Sequence, residues 1–233
     1  MGYERNYRDT TYEVAERMTM NRVYGWMSLA LVVSALSALF TAQSPAMLGF
    51  IFGSKFAFFG LIIAELALVW YMSARIMSLR FSTAALLMGA YSVLNGVTLS
   101  SVLLVYAQAT VQAAFLATAV TFAVMSAIGY FTKTDLTRMG GILIMALIGV
   151  IVATVVNFFL KSDGLPTVIT YLGLLVFIGL TAYDTQKIKQ TLLVQDQLAM
   201  QVDIRKIALM GALNLYLDFI NMFLYILRLM DRD

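Results

Sequence analysis

The 233-residue sequence contains no cysteine and no histidine, and only 12% of its residues are charged. Without cysteine there are no disulfides, no thiolate nucleophiles and no cysteine-based zinc sites. Without histidine there are no imidazole ligands, no Ser-His-Asp triads and no ordinary neutral-pH switch. A water-soluble domain carries roughly 25% charged residues, so about half of the usual charged surface is missing. In its place the chain is 61% hydrophobic, with a mean hydropathy of +0.84. That composition defines a membrane protein and leaves no room for a separate soluble domain. The net charge of +3 and the isoelectric point near 9.1 do not signal nucleic acid, because basic residues of a polytopic membrane protein collect in cytoplasmic loops.

Seven apolar runs long enough to cross a bilayer follow one another: Tyr24–Ala42, Phe56–Ala74, Thr83–Tyr106, Ala113–Phe131, Gly141–Leu160, Thr167–Tyr183 and Ile207–Leu229. Turn or charge signals separate most of them, at Gln43–Pro45, Ser78–Arg80, Thr132–Arg138 and Lys161–Pro166. Hydrocarbon offers no partner to free backbone groups, and no alternating ten-residue strands occur, so each span is expected to be helical. The expected fold is an all-α integral membrane protein. Residues 1–22, rich in Arg and Glu and lacking a signal-peptide core, read as a cytoplasmic segment, and 23–233 as the seven-helix transmembrane domain. No strong internal repeat is visible, which argues against an inverted-repeat transporter. Twelve of the sixteen Lys and Arg fall on the N-terminal side of the seven spans, leaving only Lys55, Lys161, Arg228 and Arg232 opposite. The bias predicts a cytoplasmic N-terminus and a C-terminus across the membrane. The connection from Thr185 to Lys206 is amphipathic enough for an interfacial helix or a helix extension, with a solvated loop the alternative.

An ionisable group in hydrocarbon costs kilocalories and needs a reason to be there. Glu65 stands in the middle of the second run and Asp218 near the middle of the last; Asp184 closes the sixth. Asn214, Asp218, Asn221 and Tyr225 recur at helical spacing, so the last helix is expected to turn this stripe inward and Leu215 or Phe219 outward. Asn214 and Asn221 could equally be interhelical hydrogen-bonding groups. Asp184 and Asp218 enter from the same membrane side on consecutive helices, at depths about 10 Å apart unless the sixth helix continues below the membrane. Two carboxylates held close in a low-dielectric site do not both ionise readily, so such a pair can sense protons. Ionised, the pair could take part in a transient Ca²⁺ site, although no preformed metal motif or cofactor motif exists. Arg75 could reach the pair, or simply mark the cytoplasmic side by snorkelling. A third-span series of Ser92, Asn95, Thr98 and Ser101 is a weaker polar signal. Ala30, Ser34, Ala38 and Ala42 predict close packing of the first helix.

Two stretches, GLTAYDTQKIK (Gly179–Lys189) and LYLDFINMFLYILR (Leu215–Arg228), closely resemble the signature end of the Bax inhibitor-1 (TMBIM) family, in particular its bacterial inner-membrane members of the YbhL type. VYGWMSLAL (Val23–Leu31), NGVTLSSV (Asn95–Val102) and MALIGVIVATVVNFFLKS (Met145–Ser162) extend the resemblance over nearly the whole chain. The resemblance implies a last helix surrounded by the other six and a pH-sensitive calcium leak across the membrane. It also implies an aspartate dyad between the sixth and seventh helices, which falls here on Asp184 and Asp218. In some members an arginine of the second helix joins this latch, and Arg75 is the nearest counterpart, in a poorly matching context.

The expected function is therefore a non-enzymatic, proton-gated leak channel for Ca²⁺ or another cation in the bacterial inner membrane, with no cofactor. Pore or latch candidates are Arg75, Asn214, Asn221, Tyr225 and Glu65. The rival is a membrane scaffold or modulator of a membrane protease, as some bacterial members are, with residues 1–22 as its handle. An intramembrane aspartyl protease would place a G-x-G before its second aspartate, where this chain has Tyr216 and Leu217.

Overall fold

The computed structural model describes the backbone of residues 2–197 and 203–231, and the side chains of 16–191 and 203–231. Among the described residues every regular element is a helix: α1 (Gly2–Ala42), α2 (Pro45–Phe52), α3 (Lys55–Arg75), α4 (Phe81–Val105), α5 (Gln108–Phe131), α6 (Thr137–Leu160), α7 (Leu165–Gln197) and α8 (Ile204–Met230). All but α2 are long and apolar enough to span a bilayer. The seven expected spans are thus present: five match to within about five residues at each end, while α1 begins well before Tyr24 and α7 runs well past Tyr183. The protein is an all-helical, multi-pass membrane protein.

Two features lay outside the hydropathy pattern. The turn expected after Ala42 contains the short helix α2, started by Ser44, whose hydroxyl accepts from the Met47 amide at 3.4 Å, with Pro45 in the first helical position where its missing N–H costs nothing. The polar start of the chain is also helical: α1 runs unbroken from Gly2 through Arg22 into the apolar stretch, about 60 Å in all. At the other end, α7 continues to Gln197, so the connection after Thr185 begins as a helix extension; its segment 198–202 lies outside the described residues.

The chain divides into two compact units, Met1–Gln108 with Met200–Tyr216, and Ala109–Ala199 with Leu217–Asp233. In the first, α1 lies along α4 and α3 packs on α4. At Gly96 the backbone of α4 comes close to α1: a Cβ there would meet the backbone of Ser34 and, at 2.6 Å, the Cβ of Ser37. The expected small-residue packing of the first helix is therefore present, centred on Ser34. In the second unit α6 packs along α7. Here Gly129 of α5 touches the backbone of Ala182, and Gly179 of α7 receives Leu143 of α6. Bare backbone at these points substitutes for the hydrophobic driving force that lipid removes.

Burial differs sharply between spans. Of the most apolar 18 residues of α8, 72% are buried, against 6% for α3 and 6% for α6. Large side chains such as Phe56, Trp70, Phe158 and Phe159 stand exposed, as lipid contacts require.

Candidate functional site

The second unit carries both aspartates. Asp184 stands two-thirds of the way along α7, well inside the helix, because α7 continues past it to Gln197. Helical continuation on this side is the condition under which the two aspartates can share a depth. Asp218 is 3% exposed on α8, and its Oδ2 has no hydrogen-bond partner among the described residues. Asp184 of α7 belongs to the same unit and lies within electrostatic reach of it, and Lys187 stands one turn beyond Asp184. On the same helix as Asp184, Thr181 and Thr185, both fully buried, turn their hydroxyls back onto the carbonyls of Phe177 and Thr181 at 2.8 Å each. Among the described residues no group of three or more carboxylates forms a metal cluster.

The α7 register that presents Asp184 is fixed from both sides. Tyr183 lays its ring over Gly140 of α6, and Ala182 meets Gly129 of α5. Two residues beyond Asp184, the buried Gln186 accepts from the Leu136 amide and donates to the Thr134 carbonyl, both at 2.8 Å. The loop between α5 and α6 is thereby stapled to the aspartate helix. Lys189 adds a hydrogen bond to the Tyr130 carbonyl at 3.3 Å and covers the Tyr130 ring at 4.5 Å. In the same loop the Thr137 hydroxyl and amide hold the exposed Asp135 carboxyl below the usual carboxylate range, the amide donating to Asp135 Oδ1 at 2.9 Å. Nothing in the hydropathy pattern marks Gln186; its polarity at a position one turn past the apolar run was the available signal.

The remaining expected residues lie elsewhere. Arg75 ends α3 in the first unit with its side chain exposed. Glu65, also in the first unit, is half-buried and bonded to Thr98 and Asn95 of α4. The stripe on α8 needs correction. Asp218 is buried, but Asn214, Asn221 and Tyr225 are only half-buried, whereas Leu215 and Phe219, expected to face outward, are 0% and 4% exposed. The reason is the solvent: in lipid an apolar side chain loses nothing by facing protein, so polarity alone does not report which face is enclosed. Asn221 satisfies itself on the Leu217 carbonyl at 2.8 Å. Tyr225 packs on Gly173 and on the Phe177 ring, 5.9 Å between centroids, beneath the Arg228 guanidinium.

Seven apolar helices, with a buried aspartate on the last and a second aspartate on the one before it, define a class, polytopic helical membrane proteins with acidic residues in their last two spans. The chain belongs to the Bax inhibitor-1 family: the family described as "Inhibitor of apoptosis-promoting Bax1" matches residues 16–233. It is 45% identical over 216 residues to the inner membrane protein YbhL of Escherichia coli (strain K12), covering 90% of this chain and 89% of that one. It is 41% identical over 229 residues to a protein of Borreliella burgdorferi, covering 96% and 97%, and 35% identical over 223 residues to protein RP147 of Rickettsia prowazekii, covering 95% and 92%.

Proposed function

We propose that the protein is a pH-sensitive leak channel for calcium or another cation, resident in a bacterial inner membrane, and that Asp184 and Asp218 are its proton sensor and gate. The observation that carries this reading is Asp218: a carboxyl almost fully buried, with one oxygen lacking a hydrogen-bond partner among the described residues and Asp184 as its charged neighbour. A purely structural aspartate would be expected to have both oxygens satisfied. An unsatisfied one beside a second carboxylate is a place where a proton or a passing cation makes the difference. In this reading a proton shared by the pair holds α7 and α8 together. When the pair ionises fully, like-charge repulsion loosens them, and the freed oxygens become transient ligands for the permeant ion. No covalent step is involved. In this reading α8, whose apolar stretch is the most buried of the seven, is the central helix. The Lys and Arg bias supports residues 1–22 on the cytoplasmic side and the C-terminus in the periplasm, and the relative's name supports the inner membrane.

One observation favours the rival role of scaffold or protease modulator: α1 continues as helix from Gly2, beyond the span that begins at Glu16, giving a partner something regular to grip. Calcium flux into vesicles holding the purified chain, scanned over pH, separates the two. The leak reading requires flux whose pH profile changes in both Asp184→Asn and Asp218→Asn. Absence of flux from folded protein, with retention of a bound membrane protease that is lost on removing residues 1–15, would establish the scaffold instead.

A further inference from the structure

The first unit holds a chain of hydrogen bonds in mid-membrane that the leak reading does not use. Glu65, at the middle of α3, accepts from the Thr98 hydroxyl on one oxygen and from Asn95 Nδ2, at 3.4 Å, on the other. The Asn95 Oδ1 accepts from the Tyr216 hydroxyl at 2.8 Å. The Tyr216 oxygen lies 2.6 Å from Ser34 Oγ, which lies in turn 2.8 Å from the Ser92 carbonyl and 3.0 Å from that of Ala30. Four helices, α3, α4, α8 and α1, are joined in one line. Beyond Glu65 the line is dry: Asn95 is 8% exposed, Ser34 and Ser92 1% and Tyr216 0%.

Each hydroxyl has one hydrogen, and that fixes what the line can do. With Glu65 accepting from the Asn95 amide, the amide oxygen faces Tyr216 and takes the phenol hydrogen. The short contact between Tyr216 and Ser34 then uses the Ser34 hydrogen, and none is left for the Ser92 carbonyl. If Glu65 is protonated and donates a hydrogen bond to Asn95, the amide turns over, its Oδ1 accepting from Glu65 and its Nδ2 facing Tyr216. The phenol hydrogen now goes to Ser34, and Ser34 donates to Ser92. Apart from the exchange of the Asn95 amide nitrogen and oxygen, the heavy atoms stay where they are. What changes is whether α1 holds α4 by a hydrogen bond in the buried core.

We propose that Glu65, Asn95, Tyr216 and Ser34 form a proton-responsive relay, in which a proton on Glu65 sets the direction of every hydrogen bond up to Ser34 and thereby makes or releases the bond from Ser34 to Ser92. The titratable groups within electrostatic reach of Glu65 are Tyr91 of α4 and Tyr216 of α8, whose rings meet edge to face at 5.7 Å. The helix α2, also packed on α3, has no ionisable side chain, and α1 has none between Tyr24 and Ala42. Asn95, Tyr216 and Ser34 are positioning residues, acting through one another. The relay residues belong to the first unit and the two aspartates to the second.

The test is an infrared pH titration of the full chain in lipid vesicles. Glu65→Gln identifies the carboxyl stretching signal of Glu65 by removing it. Tyr216→Phe and Ser34→Ala do not touch Glu65, yet each is expected to move the midpoint of that signal by about half a pH unit or more, the size of one net hydrogen bond. Ser37→Ala removes a comparable bond between α1 and α4, from Ser37 Oγ to the Val93 carbonyl at 2.8 Å, and is expected to leave the midpoint in place. If Tyr216→Phe does not fold, Ser34→Ala decides. An unmoved midpoint in Ser34→Ala, or an equal shift in Ser37→Ala, overturns the relay. The same shifts are expected in an Asp184→Asn background, so failure of the leak reading leaves this result separate.

Discussion

The ring of Tyr183 rests directly on the backbone of Gly140, so that a Cβ at residue 140 would fall among the ring carbons. Its neighbour Gly141 has nothing within 4 Å of the same construction. Two adjacent glycines of one helix therefore have opposite tolerances. Gly140→Ala is expected to destabilise by ~1–3 kcal/mol, as overpacking does, because the Tyr183 ring would have to be displaced. Gly141→Ala is expected to be neutral or stabilising by up to ~1 kcal/mol, since alanine is the better helix former. Thermal unfolding of both variants in one detergent checks the pair, and equal effects would remove the contact from the account.

Gln186 supports the same helix from the loop side. Gln186→Leu removes both of its bonds and leaves the Leu136 amide and Thr134 carbonyl unpaired, so hydrogen exchange of the Leu136 amide should accelerate by about tenfold or more. Gln186→Glu keeps an acceptor for Leu136 but, when ionised, no donor for Thr134. Its exchange rate should fall between those of the wild type and the leucine variant.

Asp135 gives this loop a pH limit. Its carboxyl is held below the ordinary value by the Thr137 hydroxyl and amide, so it contributes to the loop above the unfolded value and loses that contribution as pH falls through the lower, folded one. Acidification through that window should loosen the 132–137 loop in the wild type, measured as faster exchange of the Thr137 amide. Asp135→Ala should exchange faster already at neutral pH and lack the acid transition.

For the proposed gate, Asp184→Asn and Asp218→Asn should each abolish most of the pH dependence of calcium flux, and the double variant should add little, because members of one coupled site are not additive. Glu65→Gln, acting in the other unit, should leave that dependence largely intact. Simply additive effects of the two aspartate substitutions would dissolve the dyad.

The orientation is checked by a reporter. Alkaline phosphatase fused after Asp233 should be active in the periplasm. A cytoplasmic reporter active at that position, with the phosphatase silent, would reverse the orientation drawn from the Lys and Arg bias.

The seven spans were legible because the bilayer imposes a length and a polarity that no tertiary contact can override. Helix α2 was not, since eight residues from Pro45 to Phe52 are too short to show a period, and only Ser44 and Pro45 announced a helix start. Asp184 and Asp218 stood out from residue type and position alone; their environment did not. Polarity misled on α8, where Leu215 and Phe219 proved as buried as Asp218. Glu65 was conspicuous, but its partners were not: Asn95 and Thr98 appeared only as a weak polar series, and Tyr216, which joins them to Ser34, gave no signal at all. Hydrogen bonds between helices far apart in sequence leave no periodic trace within either helix.

Helices α3 and α6 bury almost none of their apolar stretch against protein. For these two, the solvating medium supplies most of the contacts that elsewhere come from neighbouring side chains, and acyl chains are packing partners as much as surroundings. Their tilt and persistence are therefore set by the thickness and chain length of whatever amphiphile surrounds them. On transfer from native lipid to short-chain detergent, α3 and α6 should loosen first and α8 last. Each carries part of what has been described: α3 carries Glu65, and α6 carries the glycine under Tyr183. The choice of amphiphile thus becomes a variable of the same rank as pH in any measurement on this protein.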